Sequence, residues 1–265
     1  LASDFGYFYH DLVQLTGGDG IYFFPSAYRR AIKYGHVDPA NEILRTEVLS
    51  TLQDPTAPFI IVTYPEALAE KVISREVLKE NTLKISVGEK LDNMFVSDVL
   101  DEYGFEQVDY VYEPGQYAMR GSILDVFSFS YEFPYRIDFF GDEVESIRIF
   151  EVETQLSREK KDGVSIVPDL AVTGDVTTSF LDFIPEDTTL AMRDFLWLRE
   201  RIQVVHDDAL TPQAIAVQEA EENGGITLEG KLIDGSEFTV RALDFRRLEF
   251  GNKPTGTPNA SITFS

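Results

Sequence analysis

Between Tyr112 and Gln155 the chain sets arginine, aspartate and phenylalanine into one short alternating pattern. Tyr135-Arg136-Ile137-Asp138-Phe139-Phe140 runs into Gly141-Asp142, a dipeptide suited to a two-residue hairpin loop, and then into Glu143-Val144-Glu145. Alternation puts Tyr135, Ile137 and Phe139 on one face, with Val144 across from Phe139. The other face carries Arg136, Asp138 and Phe140, with Glu143 and Glu145 across, so Asp138 is expected opposite Glu145. Like charges directly opposite are destabilising, and this face therefore calls for a cation. Arg136 is one candidate and Arg120, from the preceding strand, is another. Arginine forks suit carboxylates, and an aromatic beside arginines has the composition of an interface hot spot. The same residues also fit a solvated sheet face with an incidental phenylalanine and weak ion pairs.

Other chemistry is poorly supplied. No G-x-x-x-x-G-K-[ST] phosphate loop and no G-x-G-x-x-G occurs. Gly17-Gly18-Asp19-Gly20 precedes a strand instead of opening a helix, and reads as a plain turn. The acidic clusters at Asp101-Glu102, Asp142-Glu143, Asp207-Asp208 and Glu219 with Glu221-Glu222 fall at helix ends or in turns, where solvation accounts for them. A metal-dependent nuclease built on them is the alternative. The absence of cysteine excludes disulfides, thiolate metal sites and a cysteine nucleophile. His10, His36 and His206 are scattered, His36 in a loop without a nucleophile partner, so a histidine-built metal site is not expected.

The elements that must hold the arginine face are legible from periodicity. The 265 residues amount to about two domains. Residues 1–81 alternate helix and strand, with helices at 3–16 and 41–52 and buried parallel strands at 21–24 and 59–63, and Pro65 opening a further helix. Residues 82–167 change to α+β: a strand at 83–87, an amphipathic helix at 90–103 carrying Leu91, Met94, Phe95, Val99 and Leu100, Gly104 as its cap, then closely spaced strands with a turn at Pro114-Gly115. The apolar face of the hairpin is expected to meet that helix. Residues 168–265 return to mixed helix and strand, with strands at 189–192, 248–250 and 262–264, a helix-rich stretch over 195–220 broken near Pro212, and Trp197 in the core. The fold class is an α/β lobe with a parallel sheet, interrupted by an inserted α+β domain.

Charge bounds the partners. Lys and Arg number 23 against 46 Asp and Glu, a net charge of −23. Such a chain is expected to bind nucleic acid weakly or not at all, because phosphate contacts need clustered cations. No apolar run approaches the length of a membrane span. The chain reads as a soluble, cytoplasmic fragment of a longer protein.

The stretch G-Q-Y-A-x-R-G-x-x-L-D-V-F over 115–127, followed by P-Y-R-I-D-F-F-x-D-E-V-x-S-I-R-x-F-x-x-x-x-Q over 134–155, resembles the bacterial transcription-repair coupling factors. A corresponding module occurs in the excision-repair helicase UvrB. Phe23-Phe24-Pro25-Ser26 and the stretches 43–52 and 59–68 extend the resemblance over the first α/β piece. It implies a UvrB-homology module in which 1–81 and 168–265 build one degenerate helicase-like lobe and 82–167 binds the repair protein UvrA. Carried over residue by residue, the UvrA-binding set is Arg120, Arg136, Asp138 and Phe140, expected together and solvent-accessible. An accessible Arg136 implies that Arg136→Ala weakens UvrA binding by roughly 30-fold and barely changes thermal stability. UvrB proteins often carry an arginine where this chain has Ala118. The interval Ala27–Glu42, with only Tyr28 and Tyr34 as aromatics, is too short for the strand-separating hairpin of UvrB. The resemblance therefore favours a non-catalytic, cofactor-free module of a coupling factor over a fragment of the helicase. ATP, magnesium, RNA polymerase and double-stranded DNA belong to other domains of the parent family.

Overall fold

The computed structural model describes residues 2–27, 39–55, 57–170, 177–212, 214–215 and 228–250. In chain order the first elements are α1 (Ala2–Thr16), β1 (Ile21–Phe24), α2 (Pro39–Gln53), β2 (Ile60–Thr63), α3 (Pro65–Ala69), β3 (Val72–Ile73), α4 (Arg75–Glu80) and β4 (Leu83–Ser86). There follow α5 (Asn93–Glu102), β5 (Glu106–Gln107), β6 (Gln116–Arg120), β7 (Ile123–Val126), β8 (Tyr135–Phe140), β9 (Glu143–Phe150), β10 (Ser157–Lys161) and β11 (Gly163–Ile166). The last are β12 (Thr177–Thr178), α6 (Phe180–Phe183), β13 (Thr189–Met192), α7 (Phe195–Ala209), α8 (Gly235–Ala242) and β14 (Arg246–Glu249). The chain divides into two compact units, one of Leu1–Asn41, Ala57–Val72 and Thr177–Ser265, the other of Glu42–Thr56 and Ile73–Val176.

The second unit is organised by a six-stranded sheet in the order β10-β9-β8-β7-β6-β5. Its pairings are antiparallel except β5 with β6. Tyr135, Ile137 and Phe139 of β8 face one core, together with Leu124, Val126, Val144, Ile147 and Ile149. Val96 and Leu100 of α5 close that core, as the alternation of apolar residues anticipates. Burying each such aliphatic side chain stabilises the unit by ~1.5–3 kcal/mol. Gly141, at φ 66°, supplies the left-handed backbone that the tight β8–β9 loop needs. Gly115, at φ 84°, does the same in the turn before β6, where an added Cβ would also meet the Phe129 ring at 3.0 Å.

The helix expected from residue 90 starts later. Asp92 caps it, accepting from the Met94 amide at 2.9 Å. Residues 88–91 instead pair with the start of β9, through Gly88 N to Val144 O at 2.8 Å and Leu91 N to Asp142 O at 2.7 Å. The helix thus opens past the sheet edge, and Met94 and Phe95 in its first turn are exposed.

In the first unit, β1 and β2 pair in parallel from Ile21↔Ile60 to Phe24↔Thr63. Ile60 is about half exposed, unlike the fully buried strand expected there. Helix α3 opens with Pro65 at its first turn, and its Glu66 pairs with Arg201 of α7 at 3.5 Å. Glu70 accepts from the Ala27 amide at 2.8 Å and from the Ser26 hydroxyl. Phe195 of α7 stacks on Phe238 of α8 with centroids 5.8 Å apart. β13 and β14 form a second parallel pair, from Thr189↔Arg246 to Met192↔Glu249. Trp197 does not enter the core. The buried stripe of α7 is Phe195, Ile202 and Ala209, and Trp197, two positions from that stripe, is 40 % exposed. The strand expected at 262–264, His36, Tyr28, Tyr34, Glu219, Glu221, Glu222 and the helix beyond residue 215 lie outside the described residues.

Glu47 of α2 makes the second unit pH-sensitive. Burial, reinforced by the nearby charge of Glu132, pushes its carboxyl up to about 7 from the ordinary 4.5. A carboxyl that titrates higher folded than unfolded costs nothing below about 4.5, and its cost grows as pH rises through about 7. At ~1.4 kcal/mol per pH unit between about 4.5 and about 7, Glu47→Gln is expected to stabilise the chain by about 3 kcal/mol at pH 8 and by almost nothing at pH 4.5. Urea unfolding of both proteins at the two pH values measures this, and an equal effect at both would refute it.

Candidate functional site

The sheet face opposite that core carries the predicted residues, arranged in two cross-strand rows. One runs Arg120–Ile123–Asp138–Ser146 and the other Ala118–Asp125–Arg136–Arg148–Lys160, across β6 to β10. Phe140 follows in the next row, opposite Glu143. All four predicted residues therefore share a face: alternation along β8 places Arg136, Asp138 and Phe140, and the β6–β7–β8 register brings Arg120 into the row of Asp138.

Their state differs from the expectation. The hub is Asp125, a residue that the charge pattern alone did not single out, and its side chain is completely buried. Arg136, its direct cross-strand partner, donates from Nε at 2.7 Å and from Nη2 at 2.8 Å, a two-point fork. Arg120 donates to the second Asp125 oxygen from the diagonal position. The arginines also reach the flanking loops: Arg120 Nη1 to Asp109 O at 2.8 Å and Arg136 Nη1 to Gln155 O at 3.2 Å. Gln155 holds that carbonyl in place at φ 60°, the one described non-glycine residue in the left-handed region. The guanidinium of Arg136 lies 4.5 Å from the Phe150 ring centroid, and that of Arg120 5.2 Å from the Tyr110 ring. The bond to Asp125 raises the Arg136 pKa further, so its charge is permanent.

Arg136 is consequently only 17 % exposed, and Asp138 is also largely covered. The freely accessible Arg136 and Asp138 expected from the pattern are not found, because each is paired within the sheet, Arg136 with Asp125 and Asp138 with Arg148, while Arg120 keeps about a third of its side chain exposed. Ala118 is fully buried beside Val111, Phe127 and Phe150, leaving no room there for the arginine that UvrB proteins often carry. Phe140 alone of the four is open, at 78 % exposure.

The partner of Asp138 is neither candidate. A bulge on β9 shifts the register between Asp138 and Phe139, so Asp138 faces Ser146 instead of Glu145. It accepts from the Ser146 hydroxyl at 2.7 Å and from Arg148. Uninterrupted pairing would have sent Arg148 to the core face. The signal for the shift is the three-residue step from Val144 to Ile147, which breaks the period of two.

Among the described residues no group of three or more histidine, aspartate or glutamate side chains is placed to hold a metal ion. Asp101 accepts from the Tyr117 hydroxyl at 2.7 Å, and Asp207 takes Gln203 and His206. Asp142 and Glu143 are exposed around a turn. Among the described residues, no helix is long and apolar enough to cross a membrane.

A six-stranded, mostly antiparallel sheet with one helix on its core face and paired arginines on the other defines the class of module. Residues 83–171, which include every residue of this face, match the UvrB interaction domain family. Over a wider stretch the chain is similar to proteins named transcription-repair-coupling factor. That of Escherichia coli K12 is 32 % identical over 138 residues, 52 % of this chain and 12 % of that protein. That of Myxococcus xanthus is 30 % identical over 176 residues, 63 % of this chain and 14 % of the relative. That of Bacillus subtilis 168 is 30 % identical over 158 residues, 60 % and 13 % respectively. The matched stretch thus spans only 12–14 % of these relatives' length. The resemblance drawn from the sequence motifs is borne out.

Breaking the buried triad is expected to cost stability in the order Asp125→Ala, Arg136→Ala, Arg120→Ala. Removing the shared carboxylate strands two cations and costs ~3–5 kcal/mol. Losing Arg136 leaves Asp125 with Arg120 alone and costs ~1–3 kcal/mol. Thermal and urea unfolding of the three variants measures the series, and an Arg136→Ala protein as stable as the parent would show that the buried fork contributes nothing.

Proposed function

We propose that the chain is a non-catalytic recruitment module from the N-terminal part of a transcription-repair coupling factor, and that it binds UvrA. The single observation that carries this reading is Phe140, an open aromatic on the sheet face that also holds Arg120, Arg136 and Asp138, within the stretch that matches the UvrB interaction domain. Arg120, held by Asp125 with about a third of its side chain exposed, presents a preorganised cation to partner carboxylates, and Arg136 fixes the same Asp125. Phe140 supplies the apolar contact that excludes water around those pairs. Asp138 acts by orienting Arg148.

In this reading residues 82–167 are the UvrA-binding domain, and 1–81 with 168–265 form a helicase-like lobe without ATPase parts. ATP hydrolysis, magnesium, contact with RNA polymerase and translocation on double-stranded DNA reside in other parts of the parent protein, which works in the cytoplasm. The alternative, a fragment of the UvrB helicase, differs in requiring nucleotide turnover.

Titration of UvrA onto the 265-residue chain tests the reading. Phe140→Ala is expected to weaken binding by about 30-fold, the ~2 kcal/mol of a hot-spot residue, without lowering the melting temperature. UvrA affinity untouched by this substitution would end the assignment of the face. A phosphate-release assay on the same chain is expected to show no magnesium-dependent ATP turnover, and saturable turnover would favour the helicase.

A further inference from the structure

The cationic row does not stop at Arg136. Arg148 on β9 lies directly across from Arg136, and Lys160 on edge strand β10 lies directly across from Arg148. Three cations thus stand side by side on one sheet face, in a chain whose net charge is −23. Like charges in directly opposed positions destabilise a sheet unless anions offset them. Asp125 offsets Arg136, and Asp138 takes Nη2 of Arg148. Arg148 Nε is buried without a hydrogen-bond acceptor, although a third of the side chain is exposed. Lys160 is exposed and makes no ion pair among the described residues, whereas its neighbour Lys161 is held by Glu159 at 2.9 Å.

We propose that a carboxylate of an acidic protein segment docks between Arg148 and Lys160, extending the recruiting face across β9 to the open edge of the sheet. This rests on the UvrA reading and adds a second contact region to it. A short acidic segment suits the site better than a nucleic acid does. A duplex carries one charge per ~1.7 Å and would lie along an acidic molecule over its whole length. One or two carboxylates need only the local row, since charges elsewhere on the chain are screened beyond ~8 Å.

The test uses the 265-residue chain with Lys160→Glu, Arg148→Gln and Phe140→Ala, titrated with UvrA at low and high salt, and with a 30-base-pair duplex as the rival ligand. Lys160→Glu, at an exposed edge position, is expected to leave the melting temperature unchanged. It should weaken UvrA binding about fivefold or more at low salt, a difference that vanishes near 1 M salt. Arg148→Gln should weaken binding similarly, and if that variant fails to fold, Lys160→Glu alone decides. Loss of affinity in Phe140→Ala with Lys160→Glu unchanged would overturn the extension and leave the recruitment reading standing. Unchanged affinity in all three variants, or no UvrA binding by the parent chain, would end both. An effect of Lys160→Glu on duplex binding but not on UvrA would also overturn the proposal.

Discussion

The buried carboxylate of Asp125 is the constraint around which the candidate surface is built. A fully desolvated charge survives only with close, well-directed partners. It has them in the fork of Arg136 and the single contact from Arg120. Each arginine also donates to a loop carbonyl, Arg120 to Asp109 and Arg136 to Gln155, and each lies over an aromatic ring. One carboxylate therefore ties three strands and two loops into a rigid unit. Arginines that would otherwise sample many rotamers are fixed before any partner arrives, which reduces the ordering cost of docking.

The β9 bulge is the second determinant. The hairpin needs both Val144 and Ile147 on the core face, and a strict period of two cannot provide that. One extra residue resolves the conflict, with Glu145 outside the pairing. Ser146 and Arg148 arrive on the outer face as a result, Asp138 gains its partners, and the cation row reaches β10. The surface charge pattern follows from how the core is packed on the other side of the sheet.

These two features reconcile the competing readings of the arginine face. Arg136 is an intradomain structural residue, as the bland reading of a paired sheet face holds. It also shares a sheet face with Phe140, an aromatic that stays exposed. A substitution of Arg136 therefore mixes folding with binding, whereas Phe140 and Lys160 report on binding with little contribution from stability.

From the sequence alone followed the features set by local chemistry: the apolar alternation of β8, the glycine turns at 115 and 141, the amphipathic α5 and the motif at 115–155. These rest on short-range rules of backbone angle and side-chain period, which a linear sequence carries in full. The start of α5, the exposure of Trp197, the partner of Asp138 and the role of Asp125 were decided only in three dimensions. Residues 88–91 pair with residues 142–144, far along the chain, in place of another helical turn. Asp125 lies eleven residues from Arg136, and it becomes a buried counter-ion only when β7 and β8 pair in one register and two loops close over them. Charge burial depends on which strands meet and in what phase, and that is a property of the packed sheet.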